Sequence, residues 1–170
     1  MTEYITRLLE AGYLLAELSG RVEPGPSNAN RFASYPPDKL AGCNIAGKVP
    51  QMVAVEINKM WNEDAAQTER VEALLAGCNA PKIILPGRSV TWVMKYTHPF
   101  RTVRTTLAPV NHYGFTVHGP DSWGLLLPPS LLMTTRCGLT TAEWEDPDNI
   151  APVEVPERLL KILTDNALVV

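Results

Sequence analysis

Residues 51–57, Gln51-Met52-Val53-Ala54-Val55-Glu56-Ile57, decide how the chain is read. The stretch is short, apolar and rich in β-branched residues, and Pro50 precedes it while polar residues follow. Those features predict a strand buried in a sheet. On its C-terminal side a helix is expected, with Asn62 as cap and Glu63 and Asp64 in the first turn, where negative charge favours the helix dipole. Val71, Leu74 and Leu75 would form its core face, with Gly77 as the stop. Lys82–Leu85 and Ser89–Tyr96 read as two more strands joined at Pro86-Gly87, and in the second Val90, Trp92, Met94 and Tyr96 share one face. Arg101–Leu107 and Gly114–His118 alternate at period two. Trp123–Leu127 closes the β-rich stretch before Pro128-Pro129-Ser130.

On its N-terminal side, Thr2 is a good N-cap for a helix expected to reach Ser19. Ile5, Leu8, Leu9, Leu15 and Ala16 are its apolar stripe and Gly20 its stop. Residues 22–38 contain four prolines and read as a long loop, with a helical turn at Asp38–Ala41 leading into Cys43–Ile45. Glu143–Pro152 reads as an acidic loop. Pro156 opens a last helix that packs Leu159, Leu160, Ile162 and Leu163 inward. The order is helix, strand, helix, several strands and a final helix. It predicts an α+β protein with a mixed β-sheet core flanked by helices, one domain over residues 1–170, and not a doubly wound fold.

The net charge is −3, unevenly spread. Residues 73–120 hold no Asp or Glu, while Lys82, Arg88, Lys95, Arg101 and Arg104 make that stretch +5. Residues 121–170 carry −5. Such asymmetry marks either an anionic partner for the basic part or acidic neighbours in space. No run is apolar enough to span a bilayer, and the charged N-terminal stretch is a poor signal peptide, so a cytoplasmic protein without a membrane partner is expected. Cys43, Cys78 and Cys137 are dispersed and odd in number, which predicts reduced thiols.

His98, His112 and His118 raise the question of zinc. No acid lies among them, Asp121 being the nearest, and surface or turn histidines are expected instead. No nucleophile elbow, phosphate-binding loop or dinucleotide fingerprint is present. From Arg88 to Arg104 basic and aromatic residues interleave: Arg88, Trp92, Lys95, Tyr96, Phe100, Arg101 and Arg104. Binders of single-stranded nucleic acid combine a positive groove with aromatic platforms. Trp92 is ambiguous, because its alternation with Val90 and Met94 also suits a core position.

The order of segments resembles the N-terminal prim-pol (archaeo-eukaryotic primase) domain of bifunctional DNA primase/polymerases. Asn44-Ile45-Ala46-Gly47 stands where that family has an Asn-Ile-Gly or Asn-Ile-Ala element. Met52–Asn58 stands at the strand that ends in a paired-acid Asp-x-Asp motif. Pro86-Gly87-Arg88-Ser89-Val90-Thr91-Trp92 matches a turn into a strand carrying a histidine. Gly114–Gly119 matches the strand with a third acid, and Trp123–Ser130 the apolar strand ending in Pro-Pro-Ser. The likeness covers roughly residues 5–165.

In the family the acids hold magnesium or manganese against the triphosphate. This chain departs at each catalytic position, with Glu56 and Asn58 at the paired acids and Ser89 at the histidine. Thr116 stands at the third acid, whose place Asp121 could take. One carboxylate in place of three cannot neutralise the charge of phosphoryl transfer. The resemblance therefore implies a catalytically degenerate prim-pol-like protein, of phage or mobile-element type, that binds DNA, a nucleotide or a replication protein. Arg88, Lys95, Arg101 and Arg104, with Trp92, would contact the nucleic acid. Two alternatives are an active small primase using Glu56 and Asp121 with a divalent metal, and a regulatory module whose surfaces are loops 22–38 and 143–149. In the last case the acidic loop would screen the basic face.

Overall fold

A computed structural model describes residues 1–18, 32–33, 36–40, 42–58, 65–97, 109–110, 115–120, 122, 124–134 and 138–165. Helix α1 (Thr2–Glu10) buries Ile5 and Leu8. It stops well short of the expected Ser19, because Gly12 takes a φ of 89°, a left-handed conformation open to glycine at little cost. The chain then extends as β1 (Leu14–Leu18), so Leu15 and Ala16 are strand residues and not the end of a helical stripe. Next come α2 (Pro37–Leu40), β2 (Asn44–Lys48), β3 (Met52–Asn58) and α3 (Ala65–Leu74). Strands β4 (Lys82–Leu85), β5 (Ser89–Lys95), β6 (Pro109–Val110), β7 (Phe115–His118) and β8 (Leu125–Leu127) follow. β9 (Leu131–Thr134), β10 (Gly138–Thr141), β11 (Glu143–Trp144), β12 (Val153–Glu154) and α4 (Glu157–Asp165) complete the order.

The fold is α+β. A large sheet runs β11-β4-β5-β3-β7-β6, all neighbours antiparallel, and β12 adds a parallel pairing at the end of β5. A second sheet runs β1-β2-β8, and β9 and β10 form a separate ribbon. The expected strand at 101–107 and the helix cap at 62–64 lie outside the described residues. No described helix is long and apolar enough to cross a membrane.

Alternation along β3 builds two cores, one on each face of the large sheet. Val53, Val55 and Ile57 join Val90, Trp92, Met94, Phe115 and Val117, covered by Val71 and Leu75 at α3 and by Leu159 and Leu163 of α4. Met52 and Ala54 join Val93, Ile83 and Leu85 on the opposite face. There they meet Leu15, Ile45 and Leu127 of the smaller sheet and Ile5 and Leu8 of α1. Each fully buried aliphatic side chain contributes roughly 1.5–3 kcal/mol.

The segments containing Asn44-Ile45 and Pro-Pro-Ser are tied directly to each other. The Asn44 side chain donates to Leu131 O and accepts from Leu131 N, both at 2.9 Å, as a strand neighbour would. Buried Ser130 accepts from Ile45 N at 2.8 Å and donates to Ile45 O at 3.2 Å. Gly47 has to be small, since a Cβ there would run into the Leu127 side chain. Across the molecule, α1 is fixed to β11 and the segment after it. Trp144 Nε1 donates to the Tyr4 hydroxyl at 2.7 Å, and Arg7 donates to Pro147 O at 2.9 Å.

Candidate functional site

The face of the large sheet opposite α3 and α4 is not apolar throughout. Register places Thr91 of β5, Glu56 of β3 and Thr116 of β7 side by side in one row. One step towards the β4–β5 turn, Ser89 lies opposite Asn58. One step the other way, His118 lies opposite Ala54. Directly opposed residues in antiparallel strands have Cβ atoms about 5 Å apart, and long side chains also reach their diagonal neighbours. Residues more than sixty positions apart in the chain thus form a compact polar block, bordered by Ile83 and Leu85 on β4 and by Val93 and Ala54.

The centre of the block is a hydrogen-bonded contact between His118 and Glu56. His118 Nε2 lies 2.7 Å from Glu56 Oε2, with the side chains 12% and 18% exposed. Burial pushes the Glu56 carboxyl up, but the hydrogen bond and charge of His118, helped by a hydrogen bond from Ser89, outweigh it. Glu56 therefore stays below the ordinary carboxylate range. Ser89 and Thr91 are themselves buried, at 5% and 7% exposure. The buried strand tolerates the Glu56 carboxylate because His118 and Ser89 hydrogen-bond it.

Of the positions expected from sequence, Glu56, Ser89 and Thr116 meet here, and Asn58 follows Glu56 on the same strand. Asp121, Arg101 and Arg104 lie outside the described residues, as do His98 and His112. Arg88 directly precedes Ser89 in the β4–β5 turn and so borders the block. Lys95 is at the far end of β5, about 20 Å from Ser89 at the usual rise of a strand, and pairs in register with Met52 and Glu154. It is on the same face as the block, but apolar Val93 stands between it and Thr91. Trp92 lies on the helix-covered face, 5% exposed and packed in the core, so it offers no open ring for a base to stack on. Lys82 is neutralised in place. Its Nζ lies 2.8 Å from Glu145, 3.2 Å from Glu72 and 5.3 Å from the centre of the Trp92 ring. The acidic loop thus covers one basic residue of the acid-free stretch, while Asp148 of the same loop faces Arg7 at 3.6 Å.

His118 is the residue sequence reasoning placed least well. It was expected as a surface or turn histidine, but it ends β7 with its side chain only 12% exposed, and the β3–β7 register brings Glu56 to it. Among the described residues no group of three His, Cys, Asp or Glu side chains converges as a metal site would need. A separate cavity of about 450 Å³ lies at the end of α3, lined by residues 76–79 and 153–156. It shares no residue with the polar block.

No family model matches the chain, and no curated protein or solved structure does so either.

Proposed function

We propose that this is a prim-pol-like binding protein that takes single-stranded DNA, or a nucleotide, by its phosphates at the Glu56–His118 face and does not polymerise. The observation that supports the reading is the meeting of the motif positions. Glu56, Ser89 and Thr116 come from three strands and share neighbouring rows of one sheet face. A core with no function there would be served better by apolar residues, as the opposite face is. The partly exposed Thr116 hydroxyl and His118 ring offer hydrogen bonds suited to phosphate oxygens, and Arg88, next to Ser89 in sequence, adds positive charge.

The same set argues against phosphoryl transfer. One carboxylate, already hydrogen-bonded by a histidine, leaves the developing charge of the transition state without its counter-charge. The resemblance to primases thus contributes a scaffold and a phosphate-binding face.

The test is a fluorescence-anisotropy titration of labelled oligothymidylate at low and at physiological salt. Binding that weakens steeply as salt rises is expected, because phosphate contacts release counterions. Binding at neither salt would remove the proposal. In a primer-extension assay with manganese no product is expected. Product that disappears in Glu56→Gln would show a working polymerase instead.

A further inference from the structure

We infer that the phosphate site works without a divalent metal, the His118 imidazole occupying the Glu56 carboxylate that a metal ion would need. This rests on the binding reading above and deepens it. Magnesium takes near-octahedral oxygen ligands and is held through carboxylates, and manganese shares that preference for oxygen. The donors on this face do not meet that demand. Glu56 Oε2 is 2.7 Å from His118 Nε2, and Ser89 also hydrogen-bonds the carboxylate. The side chains completing the rows are the hydroxyls of Thr91 and Thr116 and the apolar Ala54 and Val93. Among the described residues no third acid, histidine or cysteine joins the pair.

A metal taking Glu56 Oε2 would have to displace the imidazole from a pocket in which both partners are mostly buried. Among the described residues it would then find one carboxylate and neutral hydroxyls. A phosphate makes the opposite demand. Its oxygens accept hydrogen bonds, and the block offers the partly exposed Thr116 hydroxyl and the edge of the His118 ring turned away from Glu56, with Arg88 next in sequence to Ser89. The bound phosphate is therefore held by direct contact with the protein and not through a shared cation. The carboxylate serves such a site by orienting the imidazole ring through their hydrogen bond.

The experiment is an anisotropy titration of labelled oligothymidylate, and in a second arm of dATP, in excess EDTA and then in magnesium or manganese. The same affinity with and without metal is expected. A second measurement follows the electron paramagnetic resonance signal of manganese as ligand-free protein is added, and no loss of signal is expected. Binding that requires metal, or a manganese signal quenched by wild type but not by Glu56→Gln, overturns the inference and leaves the binding reading standing. Absence of binding in every medium overturns both. His118→Asp, which sets a second carboxylate beside the first, is expected to lose binding in EDTA and recover it with manganese. If that variant binds as wild type does in EDTA, the role given to His118 is wrong.

Discussion

The two faces of the large sheet are made from the same strands and differ in what those strands are asked to do. On the helix-covered face every inward position of β3, β5 and β7 is apolar: Val53, Val55, Ile57, Val90, Trp92, Met94, Phe115 and Val117. On the other face the apolar packing of Met52, Ala54 and Val93 gives way, one residue pair further along, to Glu56, Ser89, Thr91, Thr116 and His118. The first face can hold the sheet to its helices without help. That frees part of the second to carry polar groups that stability alone does not require. The difference separates residues that hold the fold from polar residues to which the proposed function assigns binding.

Substitutions on the two faces should therefore have opposite signatures. The largest loss of stability is expected from Met94→Ala on the apolar face, about 2–5 kcal/mol by urea unfolding, because the side chain is fully buried and leaves a cavity. The DNA affinity of the folded fraction should be unchanged. Ser130→Ala, at the tie between β2 and the segment after β8, should cost about 1–3 kcal/mol, since it leaves Ile45 N–H buried without its acceptor. Smaller still is Glu56→Gln, at about 1 kcal/mol near neutral pH, as a hydrogen bond to a charged group becomes one to a neutral group.

The pH dependence of Glu56→Gln is more telling than its size. The folded carboxyl lies below its ordinary value of 4.5, so the unfolded chain binds the proton more tightly. The stabilisation is complete above pH 4.5 and is lost as pH falls through the lower, folded value. Over that acid range the stability difference between wild type and Glu56→Gln should shrink. A difference that grows on acidification would mean the pair is not formed. The smallest effect on stability is expected from Thr116→Val, within about 0.5 kcal/mol at a partly exposed hydroxyl, yet this variant should bind DNA measurably more weakly. If Thr116→Val leaves DNA affinity unchanged while Met94→Ala lowers it, the division between the faces fails.

Much of this arrangement was legible in the residues. β3 follows from its short apolar, β-branched run after Pro50, and β4, β5 and α4 from Pro86-Gly87, alternation and Pro156, while Trp92 behaves as its alternation with Val90 and Met94 suggested. The end of α1 was not legible. Leu14–Leu18 is buried in no period-two pattern, so its leucines extend a helical stripe as readily as they form a strand, and only Gly12 marks the change. Strands β11 and β12 are two residues each and owe their form to the neighbours they pair with, which no local propensity records. At the candidate site, sequence named Glu56, Ser89 and Thr116. It could not give the Glu56–His118 contact, because register between strands sixty residues apart is a tertiary property.

The central claim is that ligand meets this polar face and nothing else on the molecule. Amide chemical shifts of the isotope-labelled protein, followed as oligothymidylate is added, test it most directly. The account predicts that the shifts that move cluster at residues 56, 88–91 and 116–118. Movement confined to residues 76–79 and 153–156, around the separate cavity, or no movement at saturating DNA, would contradict it.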